Sequence, residues 1–478
     1  MTRRHAFLLV AIALFFLSFH SYRLLTFPPF ADESAYMFWS SMIITRGNVT
    51  QPLRDGTGPV FMLLSLPLIA ISKNYLLAGR LVSILSNFVS LILIWNLTFW
   101  LTKSSKSALL SAIFWASFPI VFVQGRLAVL DPLTTMWILL SVNAVLRGDN
   151  KYWQDVLILA LSLTAGFLTK PTTVTVIPFL LQLPFLVKTK KTLSLSHIIL
   201  GICLASISCL IIFFPFRTAF LQLYNNYYKH SSDAFSSIIN VTIANFRKQL
   251  RWLYSYATFI GAITLVGGIL ISVKKSIVTR LSLIWITLTL TANALVGTNN
   301  IFPRHIYQIF PALSILLSHL VFRIRQQNML LKFVVISILL GSFFSFTLHF
   351  ISSPQTAPLP REDVYQLFED WTSGYGLRES AQALQLLMKN GKSTLLADDK
   401  WFAHGLHLFY GIDDNSIDIR EDLYFDPQPK SLEDEGRNPS YLILNRQRNP
   451  SPEWKLAKYW SYDIPPRKSI AIYKILPK

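Results

Sequence analysis

Apolar runs follow one another so closely in this chain that little else can lie between them. Windows of about 20 residues pick out segments near 6–25, 76–101, 107–123, 133–147, 154–169, 172–187, 196–216, 255–273, 281–297, 303–321 and 330–350. About eleven such segments predict an all-α polytopic membrane domain, because in hydrocarbon only a helix satisfies its backbone polar groups within one segment. Several runs are shorter than a full crossing, which predicts broken or partial helices around Asp131 and Lys170.

Charge supports the same class. Of 25 acidic residues, only seven precede residue 353, and two of them, Asp32 and Glu33, are adjacent. Residues 1–352 carry 28 basic side chains spread between the apolar runs, a pattern that suits anionic lipid headgroups or lipid-linked phosphate and argues against nucleic acid. The opening Met1-Thr2-Arg3-Arg4 and the long run behind it, without a small-residue cleavage site, predict an uncleaved first span. Cys203 and Cys209 lie in one apolar run at i, i+6 and imply no disulfide.

Dense basic connections mark one side of the membrane: Arg3 and Arg4, Lys103 and Lys106, Arg147 and Lys151, Lys188 with Lys190 and Lys191, Lys274 with Lys275 and Arg280, and Arg323 with Arg325 and Lys332. These connections are expected to be cytoplasmic, together with the N-terminus. Asp32 and the C-terminal region then face the other side, in the plasma membrane of a prokaryote or the endoplasmic reticulum of a eukaryote.

The chain divides by composition into a membrane domain, 1–352, with a large first outer loop at 26–75, and a small extracytoplasmic α/β domain, 353–478. Within the first loop Pro59–Ile71 is an apolar stretch of interface-helix length. A second outer loop, about 217–254, and its border hold Tyr224, Tyr227, Tyr228, Trp252, Tyr254 and Tyr256, suited to an interfacial belt or a sugar platform. After Pro354, helices are expected over Ser380–Lys389 and Lys400–Phe409, strands over Ser393–Ala397, Ser440–Leu444 and Ser469–Ile475, and a turn over Trp371–Gly376. His404 and His407 stand at i, i+3 without a carboxylate to complete a ligand set and read as surface or cap residues.

An ionisable group near bilayer depth costs about 2.5–3.5 kcal/mol, so sparse charges on the outer side are functional candidates. They are Asp32, Glu33, Asp55 and Asp131, with Arg54, Arg126, Lys170, Arg217, Arg304 and the neighbouring His305. This set suits displacement at a lipid-linked phosphate, with a base for the acceptor's proton and cations for the departing phosphate. Other uses of the same residues stay open: Asp131-Pro132 can cap a helix, Lys170 can reach to the interface, and Arg80 reads as a helix-end anchor.

At these residues the chain resembles the C-type glycosyltransferase superfamily (GT-C), in the branch of protein O-mannosyltransferases and the lipid A aminoarabinose transferase. Phe30-Ala31-Asp32-Glu33-Ser34-Ala35-Tyr36 is similar to that branch's first-loop acidic signature. Gly58-Pro59-Val60-Phe61-Met62-Leu63, Gly79-Arg80-Leu81-Val82-Ser83, Gln124-Gly125-Arg126 with Leu130-Asp131-Pro132, Gly166-Phe167-Leu168-Thr169-Lys170-Pro171 and Pro303-Arg304-His305-Ile306-Tyr307 follow in the same order as its later landmarks. The resemblance implies a sugar moved from a polyprenyl-phosphate donor to an acceptor hydroxyl, hexosyl or pentosyl, on the extracytoplasmic face.

It also implies roles: Asp32 as base, Glu33 as its positioning partner, and Arg126, Lys170, Arg304 and His305 at the donor phosphate. Tyr36, Asp131, Arg54 and Asp55 are candidates for further substrate contacts. The acceptor is a glycan, glycolipid or protein. The sequence departs from the aminoarabinose transferase where that protein has Lys before a Pro-Pro pair; Asp55-Gly56-Thr57-Gly58-Pro59 stands here, against a lipid A acceptor. Scattered carboxylates give no hard-cation set, so no obligatory metal is expected, although members of the superfamily divide over divalent-cation use. The rival reading is a transporter or flippase of lipid-linked saccharides, and the sequence shows no repeat of the kind such carriers often have.

Overall fold

The computed structural model describes residues 3–55, 57–147, 152–187, 192–218, 235–272, 276–296, 301–323, 329–387, 394–412, 417–419, 440–445, 450, 455–464 and 468–476. Its longer helices are α1 (Arg3–Ser21), α2 (Ala31–Arg46), α3 (Val60–Ser72), α4 (Tyr75–Thr102), α5 (Ser105–Ser117), α6 (Leu130–Arg147), α7 (Tyr152–Phe167), α8 (Ile177–Leu186), α9 (Leu195–Phe213), α10 (Phe235–Ser272), α11 (Ile277–Val296), α12 (Phe310–Arg323), α13 (Met329–Ser352), α14 (Leu377–Leu387) and α15 (Lys400–Tyr410).

Each of the eleven apolar runs coincides with a helix or a broken helix pair. Length and apolarity alone give fewer crossings: six helices among the described residues qualify, or seven if Ser105–Ser117 and Pro119–Arg126, bent by 56°, form one span. Three shorter apolar stretches, Leu130–Leu146, Tyr152–Phe167 and Pro171–Leu186, account for most of the difference from eleven. The expected breaks around Asp131 and Lys170 are present: 3₁₀ turns occupy Gln124–Arg126 and Pro171–Val176. A proline opens the second of these, where its missing N–H costs no helical bond.

Chain folding divides the described residues into two compact units. The first contains Met1–Tyr22, Asn48–Leu64 and Leu81–Pro360; the second contains Arg23–Gly47, Ser65–Arg80 and Arg361–Lys478.

In the first unit, buried and half-buried polar side chains bridge apolar helices. Asn96 Nδ2 donates to Asn143 Oδ1 at 2.9 Å, and the hydroxyls of Ser107 and Ser318 meet at 2.9 Å. Such bonds supply specific helix pairing where apolar packing is undirected. Trp252 and Tyr256 are buried in this unit, which corrects their expected place in an interfacial belt or sugar platform; Tyr224, Tyr227 and Tyr228 lie outside the described residues.

The second unit combines part of the first loop with the C-terminal region. Its sheet has the order β2-β1-β3-β5-β4, formed by β1 (Thr394–Ala397), β2 (Ile417–Ile419), β3 (Ser440–Leu444), β4 (Leu456–Ile464) and β5 (Lys468–Ile475). β1 runs parallel to β2 and β3, and β5 is antiparallel to β3 and β4. Alternation divides the strands: Leu395, Ile443 and Ile472 pack with Leu384 of α14 and Leu406 of α15, while Leu396, Leu442 and Tyr473 form the cluster on the other face.

Candidate functional site

Asp32 and Glu33 occupy the first turn of α2, not an irregular loop. The sequence reading missed this helix because the acids interrupt its apolar pattern, yet acids are favoured where a helix presents its free N–H groups. Glu33 Oε2 accepts the N–H of Phe30 at 2.8 Å, the carboxylate half of a capping box. Gly47, with φ +63°, ends the helix in the left-handed region.

Glu33 is fully buried and Arg80 almost so. Arg80 Nε donates to Glu33 Oε1 and Nη2 to Oε2, each at 2.8 Å. The remaining guanidinium donors reach the carbonyls of Leu24, Phe27 and Pro28. All five N–H groups of Arg80 are thus committed, a use of the planar fork that lysine cannot reproduce. Arg80 joins the approach to α2 and its first turn into one piece, a larger part than the helix-end anchor expected for it. Glu33 is a structural partner of this clamp, one residue from Asp32.

The turn expected at Trp371–Gly376 supports the same region. Ala31 N–H donates to Thr372 O at 2.9 Å. Gly374 lies so close to Pro29 that an added Cβ would be 1.7 Å from its carbonyl oxygen, so only glycine fits. On α2, Phe38 stacks on His404 of α15 at 3.6 Å between centroids, and Trp39 meets Trp401 edge-on at 5.8 Å. Burial, with Lys400 and His407 adding to it, lowers His404 to about 3, so the ring in this stack is neutral. Asp32 and Tyr36 are both half-buried, one helical turn apart, on the same side of α2.

The second constellation lies in the first unit. Lys170 Nζ donates to Asp131 Oδ1 at 2.7 Å; the Asp131 side chain is 2% exposed and that of Lys170 16%. Asp131, in the first turn of α6, therefore spends its carboxylate on Lys170. Gly58 rests against the chain two residues before Lys170, where its Cβ would fall 1.6 Å from Leu168 O. Asp55 of the preceding segment faces Gln51, whose Nε2 is 3.2 Å from both its oxygens, and Arg54 is exposed.

Arg304 and His305 lie on a third 3₁₀ turn, Pro303–Ile309. Arg304 stands over the Phe302 ring at 5.2 Å, and His305 Nδ1 accepts the N–H of Phe302 at 3.2 Å. That bond leaves Nε2 as the nitrogen that can carry a proton. Gln308 of the same turn donates to Thr172 Oγ1 at 3.0 Å and accepts from Thr175 Oγ1 at 3.4 Å, tying this turn to the one that follows Lys170. Lys170 lies near enough for its charge to act on His305. Arg126 sits over Phe122 at 4.4 Å and donates to Tyr22 O. Asn87 and Tyr307 join its turn to that of Arg304.

The structure thus gathers the landmark turns of Arg126, Lys170 and Arg304 with His305 in one unit, and Asp32, Glu33 and Tyr36 in the other. Beside the Lys170 turn, a groove of about 530 Å³ runs between α7 and α9, lined by Leu163, Phe167, Thr173, Ile202, Leu210 and Phe213, with Arg217 also on its wall. Its walls suit an apolar chain.

A sequence model for the family described as dolichyl-phosphate-mannose-protein mannosyltransferase matches residues 57–216. An undecaprenyl phosphate-α-4-amino-4-deoxy-L-arabinose arabinosyl transferase of Pseudomonas fluorescens is 30% identical over 211 residues, 41% of this chain and 37% of that protein. A protein of the same name from Yersinia pestis is 29% identical over 121 residues, 24% of this chain and 22% of that one. The chain therefore matches well under half the length of these relatives.

The fold is shared with solved structures over most of the chain. The crystal structure of ArnT from Cupriavidus metallidurans in the apo state aligns over 98% of both chains with a TM-score of 0.61 and 13% identity. The same protein bound to undecaprenyl phosphate aligns over 100% of this chain and 99% of that one, with a TM-score of 0.59 and 12% identity. The archaeal oligosaccharyltransferase AglB from Archaeoglobus fulgidus, in complex with an inhibitory peptide and a dolichol-phosphate, gives a TM-score of 0.54 at 9% identity, over 92% of this chain and 69% of that one.

Proposed function

We propose, from the premise that this multi-pass membrane chain is of the PMT/ArnT type of GT-C glycosyltransferases, that it transfers a sugar from a polyprenyl-phosphate donor to an acceptor hydroxyl on the extracytoplasmic face. One observation carries this reading: the Lys170–Asp131 pair stands beside an apolar groove and on a turn tied to that of Arg304 and His305. An apolar groove next to clustered cations fits a lipid phosphate, with the prenyl chain in the groove and the phosphate at the cations. The solved relatives named above that hold undecaprenyl phosphate or a dolichol-phosphate support this donor class.

In the proposed reaction Asp32 takes the proton of the acceptor hydroxyl as its oxygen attacks the anomeric carbon. The new carbon–oxygen bond forms as the bond to the phosphate oxygen breaks, the electron pair leaves with the phosphate, and configuration inverts. Arg126, Lys170, Arg304 and His305 hold the phosphate as it gains charge. Preorganised donors of this kind are each worth about 3–4 kcal/mol in a transition state. Arg54, Asp55 and Tyr36 stay candidates for contacts to the sugar or the acceptor. The acceptor is a glycan, glycolipid or protein hydroxyl.

Purified protein reconstituted with labelled polyprenyl-phosphate sugars and candidate acceptors tests the proposal. Labelled sugar joined to an acceptor supports it; sugar carried across the bilayer on an intact donor would instead mark a transporter. Transfer is expected to survive chelation. Loss of turnover in chelator that magnesium or manganese restores would overturn the expectation of no obligatory metal.

A further inference from the structure

The turns that carry Arg126 and Arg304 are far apart in sequence, and an uncharged network joins them. Asn87, fully buried in α4, donates from Nδ2 to Gly125 O at 3.1 Å, and its Oδ1 accepts the hydroxyl of Tyr307 at 2.8 Å. Trp115 Nε1 donates to the backbone oxygen of Asn87 at 3.2 Å, and its ring meets Tyr307 edge-on at 5.8 Å. Gly125 allows this closeness: an added Cβ would fall 2.4 Å from Asn87 Nδ2 and 2.6 Å from the Tyr307 hydroxyl. Arg126 is the next residue after Gly125. In the three-residue period of the 3₁₀ turn, Arg304 lies in register with Tyr307, and His305 lies between them.

We propose that Asn87 and Tyr307 are positioning residues for the donor phosphate, holding the Arg126 turn at a fixed spacing from the turn of Arg304 and His305. The proposal rests on the polyprenyl-phosphate reading given above. A neutral amide and a phenol fix distance without adding a charge that would compete with the phosphate for the cations. Each has little other use for its polar atoms: burial removes both from solvent, and an unmatched amide or hydroxyl there is costly. Two turns and α4 converge on this one amide, as expected of a link that sets geometry.

The test uses full-length protein in nanodiscs and the binding of a short-chain polyprenyl phosphate, with the matching polyprenyl alcohol as control. Tyr307→Phe is expected to weaken phosphate binding about three- to tenfold, the span of one or two neutral hydrogen bonds, and to lower the thermal midpoint. Asn87→Leu combined with Tyr307→Phe removes the Asn87–Tyr307 bond from both sides, though Gly125 O loses its donor, and is expected to recover part of the thermal stability lost in Tyr307→Phe while binding stays weak. Recovery of binding together with stability would overturn the proposal and leave the pair only a packing role. If wild-type protein holds the alcohol as tightly as the phosphate, the donor reading falls and the positioning role with it.

Discussion

Arg80 and Glu33 form a bidentate ion pair, two bonds of 2.8 Å, with Glu33 fully buried and Arg80 1% exposed. The pair uses both carboxylate oxygens, and the other Arg80 donors hold backbone carbonyls ahead of α2. Its consequence is a first helical turn held in place next to Asp32. A buried pair is expensive to form, and it is more expensive to break on one side alone.

Glu33→Ala is therefore expected to lower stability by about 3–5 kcal/mol by leaving the guanidinium buried without its partner. Arg80→Lys should fail as well, since an ammonium cannot replace five forked donors. Thermal unfolding in detergent checks both. A Glu33 variant with an unchanged thermal midpoint and no transfer would instead give Glu33 a direct chemical part.

Lys170→Met is expected to reduce turnover by about 10²- to 10³-fold, as for loss of one preorganised charge at a leaving oxyanion. Asp131→Asn keeps an acceptor for Lys170 and leaves its charge in place, so the loss should be smaller, about tenfold or less. Steady-state kinetics with a polyprenyl-phosphate sugar measure the order of the two effects. Equal losses, or a larger one at Asp131, would contradict donor binding by Lys170.

His404 gives the second unit a pH dependence of known sign. Its folded value, about 3, lies below the ordinary 6.5, so the unfolded chain binds the extra proton first. The stability that this neutral, buried ring contributes is complete above pH 6.5 and is lost as pH falls toward about 3, by about 1.4 kcal/mol per unit. The thermal midpoint of the full-length protein should fall between pH 7 and pH 5, and His404→Phe, which keeps the stack on Phe38, should flatten that fall. An equal fall in the variant would place the dependence elsewhere.

The helices of the membrane part were legible because an apolar run of about 20 residues satisfies its own backbone in lipid only as a helix. Their number as crossings was less so, since Leu130–Leu146 and Pro171–Leu186 are apolar but short. Lys170 and Asp131 stood out as charges in apolar surroundings, but their pairing depends on two turns brought together by tertiary structure. α2 was hidden because Asp32 and Glu33 break the apolar window that would have revealed it. β4 was missed because Leu456–Ile464 carries Lys458, Trp460 and Tyr462 with a register shift between Lys458 and Trp460, which blurs strict alternation. Asn87 gave only a faint signal, as a polar group inside a span, and Tyr307 closes the Pro303–Tyr307 string with nothing in the sequence to show its partner.

Transfer by Asp32→Asn protein tests the account most directly. Asparagine keeps the size and hydrogen-bonding shape of the side chain but cannot take the acceptor's proton at neutral pH. With labelled polyprenyl-phosphate sugar and acceptor in proteoliposomes, the variant is expected to show the thermal midpoint and donor binding of the parent and a turnover at least about 10²-fold lower, the lower range for loss of a general base. Turnover near that of the parent would remove Asp32 from the chemistry.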